Sequence, residues 1–225
     1  MCGRYSSTLP CETVRTWFKV SGPIPDLPPR YNIAPSQPIP VVRAERHGQR
    51  ELVMMRWGLV PSWSPGPREQ DFSMINAHAE TVATKPAFRP AFERHRCVVP
   101  ASGFYEWQPT GGRRKQPFHI HRRDNGPMAL AGIWERWSPP GDDQVLESVA
   151  IIVTDANDLL RAIHDRMPVI LDEHGVDVWL DWATPTLVLA DLMPCPDEML
   201  VADPVSPIVS SPANDVPECI VPVAG

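Results

Sequence analysis

Apolar residues at Val14, Trp17 and Phe18 fall at i, i+3 and i+4, the spacing that lays one stripe along a helix. With Pro10 in a first turn that tolerates it, a short helix is predicted to about Val20. Ser21 to Pro29 is a Gly/Pro-rich loop leading into Tyr31-Asn32-Ile33-Ala34-Pro35-Ser36. Pro38 and Pro40 then bracket an edge-like strand through Val41 and Val42. Glu51 to Trp57 predicts the next strand, entered by a turn at His47-Gly48, and Gly58 to Phe72 reads mostly as loop. Met74 to Glu80 opens a predicted helix that Pro86 cuts short, and Phe88 to His95 gives another brief one.

Beyond these the spacing changes to that of strands. Cys97 to Pro100 and Phe104 to Trp107 flank Ala101-Ser102-Gly103, which reads as a bulge or tight corner. Pro117 to Arg122, Met128 to Trp137 and Ser148 to Val153 are further strands, the last nearly all apolar and therefore central. Asp155 can cap a short helix over Leu159, Leu160 and Ile163 that delivers His164 at its end. Met167 to Leu171 predicts a strand, Val176 to Leu180 a helix and Leu187 to Leu192 another; from Met193 the chain reads as Pro-rich and irregular. Without an internal repeat or a clear linker, the pattern predicts a single α+β domain over residues 1–225. Its centre is a strongly curved, barrel-like mixed sheet with short peripheral helices.

Composition supports that reading. The 225 residues exceed the ~150-residue prior per domain without requiring two domains. Twenty-eight prolines stand well above the ~5% average and disfavour long helices. No run of eighteen apolar residues occurs and Met-Cys-Gly-Arg is no signal peptide, so a soluble cytoplasmic protein is expected, not a membrane one. The cysteines at 2, 11, 97, 195 and 219 show neither Cys-x-x-Cys nor metal-ligand spacing with the histidines. No disulfide, metal or other cofactor is expected.

The net charge of −6 hides a division along the chain. Residues 1–123 hold 18 Lys+Arg against 9 Asp+Glu, and residues 124–225 hold 3 against 18, so +9 and −15 sum to −6. That division fits one basic surface facing a polyanion, or an ordinary solvated distribution.

Cys2 is the residue with the most distinctive chemistry. If Met1 is removed, as is usual before a small second residue, Cys2 carries an α-amine and a thiol on adjacent carbons, with reference pKa values near ~8 and ~8.5. The amine can condense with an aldehyde to an imine, and the thiol can close on that imine to a five-membered thiazolidine. Equally, Cys2 can be a small buried residue of a first strand. Glu106, between Tyr105 and Trp107, can have a raised pKa and act as acid or base, or be a solvated strand residue. His164 can move protons near neutrality or cap a helix, and Asn76 can hold an amine or hydroxyl or start a turn. Trp63 is a candidate stacking residue on a loop, or a packed core residue.

Six motifs occur in order: Cys2-Gly3-Arg4-Tyr5, Tyr31-Asn32-Ile33-Ala34-Pro35, Arg56-Trp57-Gly58-Leu59-Val60-Pro61, Asn76-Ala77-His78-Ala79-Glu80-Thr81, Arg96 through Trp107, and Ile163 through Leu171. Pro204-Val205-Ser206 and Asn214 follow. In this the chain resembles the SOS response-associated peptidase (SRAP) family over almost its whole length. The resemblance implies a monomer that binds single-stranded DNA and crosslinks Cys2 to the ring-opened aldehyde of an abasic site, shielding the lesion at the nucleoid. It implies that Asn76 positions the Cys2 amine, that Glu106 assists ring opening and imine proton transfers, and that His164 helps in ring opening and reversal. Arg4 is implied as a phosphate contact. The family usually has Arg where this chain has His78, so the DNA contact expected there is weaker; Arg89 and the Arg94/Arg96 pair are expected to compensate, with Trp63 or Phe88 filling the space left by unstacked bases. "Peptidase" implies at most self-removal of Met1. Two other classes remain: an N-terminal-nucleophile cysteine hydrolase of the glutamine amidotransferase type, and a DNA-binding module in which Cys2 is structural.

Overall fold

The computed structural model describes residues 2–45, 48–65, 72–112, 114–139, 141, 144–186 and 193–223. In chain order they form β1 (Tyr5–Ser7), α1 (Cys11–Trp17), β2 (Arg30–Ile33), β3 (Pro38–Ala44), β4 (Arg50–Trp57), β5 (Asn76–His78), α2 (Ala79–Val82) and α3 (Arg89–Arg94). Then come β6 (Arg96–Ala101), β7 (Gly103–Pro109), β8 (Lys115–Arg122), β9 (Met128–Trp137) and β10 (Leu146–Asp155). The remainder holds α4 (Asp158–Arg161), β11 (Arg166–Pro168), β12 (Ile170–Leu171), α5 (Glu173–Leu180) and β13 (Leu200–Pro204).

Five strands close on themselves in the order β4, β3, β6, β9, β10, the ring completed by parallel pairing of Ser148 and Val149 with Arg56 and Trp57. All other pairs in the ring are antiparallel. Both faces of these strands are apolar. Val41, Val99, Leu130, Val149 and Ile151 belong to one buried cluster, whereas Val42, Val98, Ala131, Ala150 and Ile152 belong to another. That period of two assigns successive side chains to opposite sides. The second cluster is covered by helices through Val14, Phe18, Phe92 and Trp179. The first continues into a five-stranded sheet, β13-β8-β7-β1-β2, through Tyr5, Ile33, Phe104 and Ile120. The α+β architecture with a barrel-like mixed sheet and short helices is therefore the one found.

Ser102 is the corner where the chain leaves the ring sheet after β6 and enters the other sheet as β7. A Cβ on Gly103 would lie 2.4 Å from His119 Nε2 and 2.7 Å from the Ile120 carbonyl. His119 has little freedom to move, because its Nε2 is 2.9 Å from the buried Ser6 hydroxyl. Gly103→Ala should therefore destabilise the fold by about 1–3 kcal/mol, read as a lowered urea midpoint; an unchanged midpoint would show that the corner relaxes freely.

Several local expectations are corrected. Asn76–His78 is a strand, parallel to β10, and the helix starts only at Ala79; pairing with a central strand overrides the helical spacing. β3 is no edge strand: it lies between β4 and β6. Its prolines are tolerated because pairing with β6 involves only Val42 and Arg43, beyond both of them. The cap of α4 is Asn157, whose Oδ1 accepts from Leu160 N at 3.1 Å, not Asp155, which ends β10. β13 lies in the stretch read as irregular, and the helix expected over 187–192 lies outside the described residues.

Residues after β13 return to the start of the chain. Asn32, fully buried, donates through Nδ2 to the carbonyls of Val209 (3.1 Å), Ser211 (2.9 Å) and Asn214 (2.7 Å). Its Oδ1 accepts from Arg4 Nη1 at 2.7 Å, and Arg4 also reaches the Val209 carbonyl at 2.9 Å. Asp215 pairs with Arg30 and accepts from the Tyr31 and Asn32 amides. This clasp holds β1 and β2 against residues 209–215.

Candidate active site

Cys2 precedes β1 and is fully buried. The strand is pinned on both sides, Tyr5 pairing with Ile33 of β2 and with Phe104 of β7. Along β7, Phe104 faces the cluster that contains Cys2, whereas Tyr105 faces a small outer cluster with Val205, Val209 and Cys219. Alternation therefore turns Glu106 inward with Phe104, and it is only 3% exposed. Asn76 is placed at the start of β5, opposite Ile151 of β10. Its Nδ2 donates to the Cys2 carbonyl at 2.9 Å, and its Oδ1 is buried without a hydrogen-bond partner among the described residues. His164 follows the α4 turn, its backbone N–H on the Leu160 carbonyl at 2.8 Å, and its Nε2 lies 3.9 Å from Glu106 Oε2. The four residues thus meet, although they come from four separate parts of the chain.

The electrostatics follow from burial. Desolvation, and then the charge of Glu106, push the Cys2 thiol far above its ordinary range. The reference value of ~8.5 therefore does not hold in place, where the thiol is protonated at neutral pH. Burial raises the Glu106 carboxyl to about 7, with Asp165 acting in the same direction. Burial lowers His164, so its ring is neutral at pH 7. Its Nδ1 accepts from the Arg166 amide at 3.0 Å, which leaves the ring proton on Nε2, the nitrogen nearer Glu106. Asp165 Oδ1 is 2.9 Å from the same Nδ1, but that carboxylate is mostly exposed and the backbone bond sets the tautomer.

The other sequence candidates separate. Trp63 is 66% exposed on the loop after β4. His78, half-buried, is 4.0 Å from Glu80 Oε2, and Arg89 is exposed beside Glu93 at 3.9 Å. Phe88 is corrected: at 6% exposure it packs among the helices and offers no ring to a base. Arg96 is corrected likewise, being buried with its guanidinium on the carbonyls of Trp179 and Asp181. Arg4 is half-buried within the clasp, its guanidinium 5.8 Å from the Trp107 ring centroid, so a phosphate would have to compete with Asn32 and Val209. Arg30, Arg43 and Arg50 also spend their charge on carboxylates, which shrinks the basic surface that counting charges suggested.

Sequence reasoning gave no role to Asp165 or Arg166. Arg166 pairs with Glu80 and lies 3.2 Å from Asp155, tying α2 to the end of β10 beside His164. Their adjacency to His164 was the available signal. Among the described residues no group of His, Cys, Asp or Glu could hold a metal ion, and no helix is long and apolar enough to cross a membrane.

Ring and site together define a β-barrel protein with a cysteine at position 2 set beside a buried carboxyl and an imidazole. The SOS response associated peptidase (SRAP) family is matched by residues 1–212, and the chain belongs to that family. It is 36% identical over 224 residues to the abasic site processing protein YoqW of Bacillus subtilis, covering 98% of this chain and 99% of that one. It is also 36% identical over 225 residues to the abasic site processing protein HMCES of Gallus gallus, covering 87% of this chain and 66% of that one. The crystal structure of a protein from Bacteroides thetaiotaomicron superposes with a TM-score of 0.87 at 26% identity, covering 99% of this chain and all of that one.

Proposed function

We propose that this protein processes abasic sites in single-stranded DNA by forming a thiazolidine between Cys2, freed of Met1, and the ring-opened sugar aldehyde. The supporting observation is the meeting of Asn76, Glu106 and His164 at Cys2. The α-amine of Cys2 attacks the aldehyde carbon and water leaves, giving an imine. The sulfur then adds to the imine carbon as the thiol proton passes to nitrogen, closing the ring. Glu106, with a pKa of about 7, takes the ammonium proton before attack and returns it to the departing oxygen. Asn76 fixes the Cys2 backbone and presents Oδ1 to the freed amine. Because burial keeps the thiol protonated, the amine acts first and the thiol second.

Single-stranded DNA would be held by exposed Arg89, by His78 and by Trp63, with Arg4 taking phosphate only if it leaves the clasp. Self-removal of Met1 would account for the family's name. The single-domain monomer reading goes with this proposal. The glutamine-hydrolase alternative requires a layered antiparallel sandwich, and a closed ring with one parallel junction is a different architecture. The test is incubation with single strands containing or lacking an abasic site, followed by denaturation. A stable protein–DNA band with the abasic strand alone is expected, from protein whose intact mass lacks Met1; no band overturns the proposal.

His164 has a separable role. As the hemiacetal opens, the C1 hydroxyl proton passes to the Glu106 carboxylate and from it to the ring oxygen, while the neutral His164 donates its Nε2–H as a hydrogen bond to that oxygen as charge builds on it. Microscopic reversibility requires the same groups in release. His164→Ala should slow both formation and release, each by ~10²–10⁴-fold. Release as fast as the parent's, measured with excess competitor DNA, would reduce His164 to a helix cap.

A further inference from the structure

Trp63 stands out because a large exposed ring on a loop is held from both sides by one strand. The amide of Ser62, the residue before it, donates to Glu135 Oε2 at 3.1 Å. The carbonyl of Ser64, the residue after it, accepts from Trp137 Nε1 at 2.8 Å. Glu135 and Trp137 are two residues apart on β9, hence on the same side of a ring strand. Glu135 is 4% exposed, an unfavourable place for a carboxylate unless its oxygens are used. Both are: Oε1 lies 3.0 Å from His95 Nδ1, and the His95 ring stacks on Trp134 with centroids 4.5 Å apart. Burial alone would raise its pKa, but the bonds from His95 and Ser62 outweigh it and keep the carboxylate ionised.

We infer that Glu135 is a positioning residue for single-strand binding, acting through the Ser62 amide to hold Trp63 where bases can stack on it. The inference rests on the proposed reading of Trp63 as a stacking platform. An anchored ring loses little freedom on meeting a base, whereas a ring on a loose loop must be ordered by the ligand. The gain therefore appears in affinity and not in the chemistry at Cys2.

The test titrates an undamaged fluorescent single-stranded oligonucleotide with the parent, Trp63→Ala, Glu135→Ala, Glu135→Gln and the Trp63→Ala/Glu135→Ala double variant. Trp63→Ala should weaken binding about 5- to 100-fold, the range for losing a stacked base. Glu135→Ala should weaken it several-fold but by less than that, and should add nothing in the double variant. Glu135→Gln, which keeps a carbonyl acceptor for Ser62, should stay within about twofold of the parent because a neutral acceptor preserves the geometry. With abasic DNA, Glu135→Ala should raise the half-saturating concentration by the same factor and keep the maximal crosslinking rate. If Trp63→Ala binds like the parent, the stacking reading fails and the inference with it. If Trp63→Ala weakens binding but Glu135→Ala does not, or their effects add, the positioning role alone is overturned. Should Glu135→Ala not fold, Ser62→Pro removes the donor instead: a several-fold loss supports the inference and parent-like binding overturns it.

Discussion

Cys2→Ser should yield no abasic-DNA adduct that survives denaturation. Serine is close in size to the fully buried cysteine and keeps both the α-amine and the carbonyl that Asn76 holds, so the fold and the approach of the sugar are preserved. An imine can still form, but a hydroxyl is a poorer nucleophile and the imine hydrolyses when the protein is denatured. Borohydride, which reduces an imine to a stable amine, should restore a band to Cys2→Ser. Equal yields from the two proteins without reductant would exclude thiazolidine closure. A form with extra residues before Cys2 should fail with or without reductant, because its amine has become an amide.

Glu106→Gln is expected to slow crosslinking by ~10²–10⁴-fold and to move the pH dependence of what remains from about 7 to that of the α-amine, ~8. With a pKa of about 7, Glu106 accepts a proton well only above neutrality, so the parent's rate should climb as pH rises through that value. The same residue sets a stability trend of the opposite sense. A carboxyl raised from 4.5 to about 7 binds its proton more tightly in the folded state, so stability present at low pH is lost as pH rises through that interval. The loss is on the order of 3 kcal/mol at pH 8. Glu106→Gln, which cannot ionise, should therefore unfold at higher urea than the parent at pH 8 and at similar urea near pH 4. A parent-like pH–rate profile in the variant would remove Glu106 from the proton transfers.

Strands with strong local patterns were legible in the sequence: Met128–Trp137 and the apolar run of β10 were readable because alternation or uniform burial leaves its mark on composition. β5 was not, since three residues paired to a distant strand carry no period of their own. Nor was β13, whose pairing with β8 lies in a Pro-rich stretch. Of the site, residue types were readable and their fates were not. Phe88 and Trp63 are both aromatic residues in plausible places, and only burial distinguishes a core ring from an exposed one. Arg4 and Arg96 likewise count as positive charges in the sequence, whereas the structure spends them on backbone carbonyls.

The clasp around Asn32 bears on how the protein is made. Arg4 and Val209 are 205 positions apart. At ~5–20 residues per second, a ribosome needs about 10–40 s to add the second partner after the first. Throughout that interval β1 can be held only by β2 and, once it is made, by β7, without the clasp, and while Cys2 stays solvated its thiol keeps the ordinary pKa of ~8.5. Removal of Met1 by a separate aminopeptidase is easiest in that window, whereas self-removal has to wait for the site to assemble; once Met1 is gone, any small metabolic aldehyde can cap the same two atoms until folding hides them. Completion of residues 209–215 thus marks the point at which a generally reactive end becomes a sheltered one.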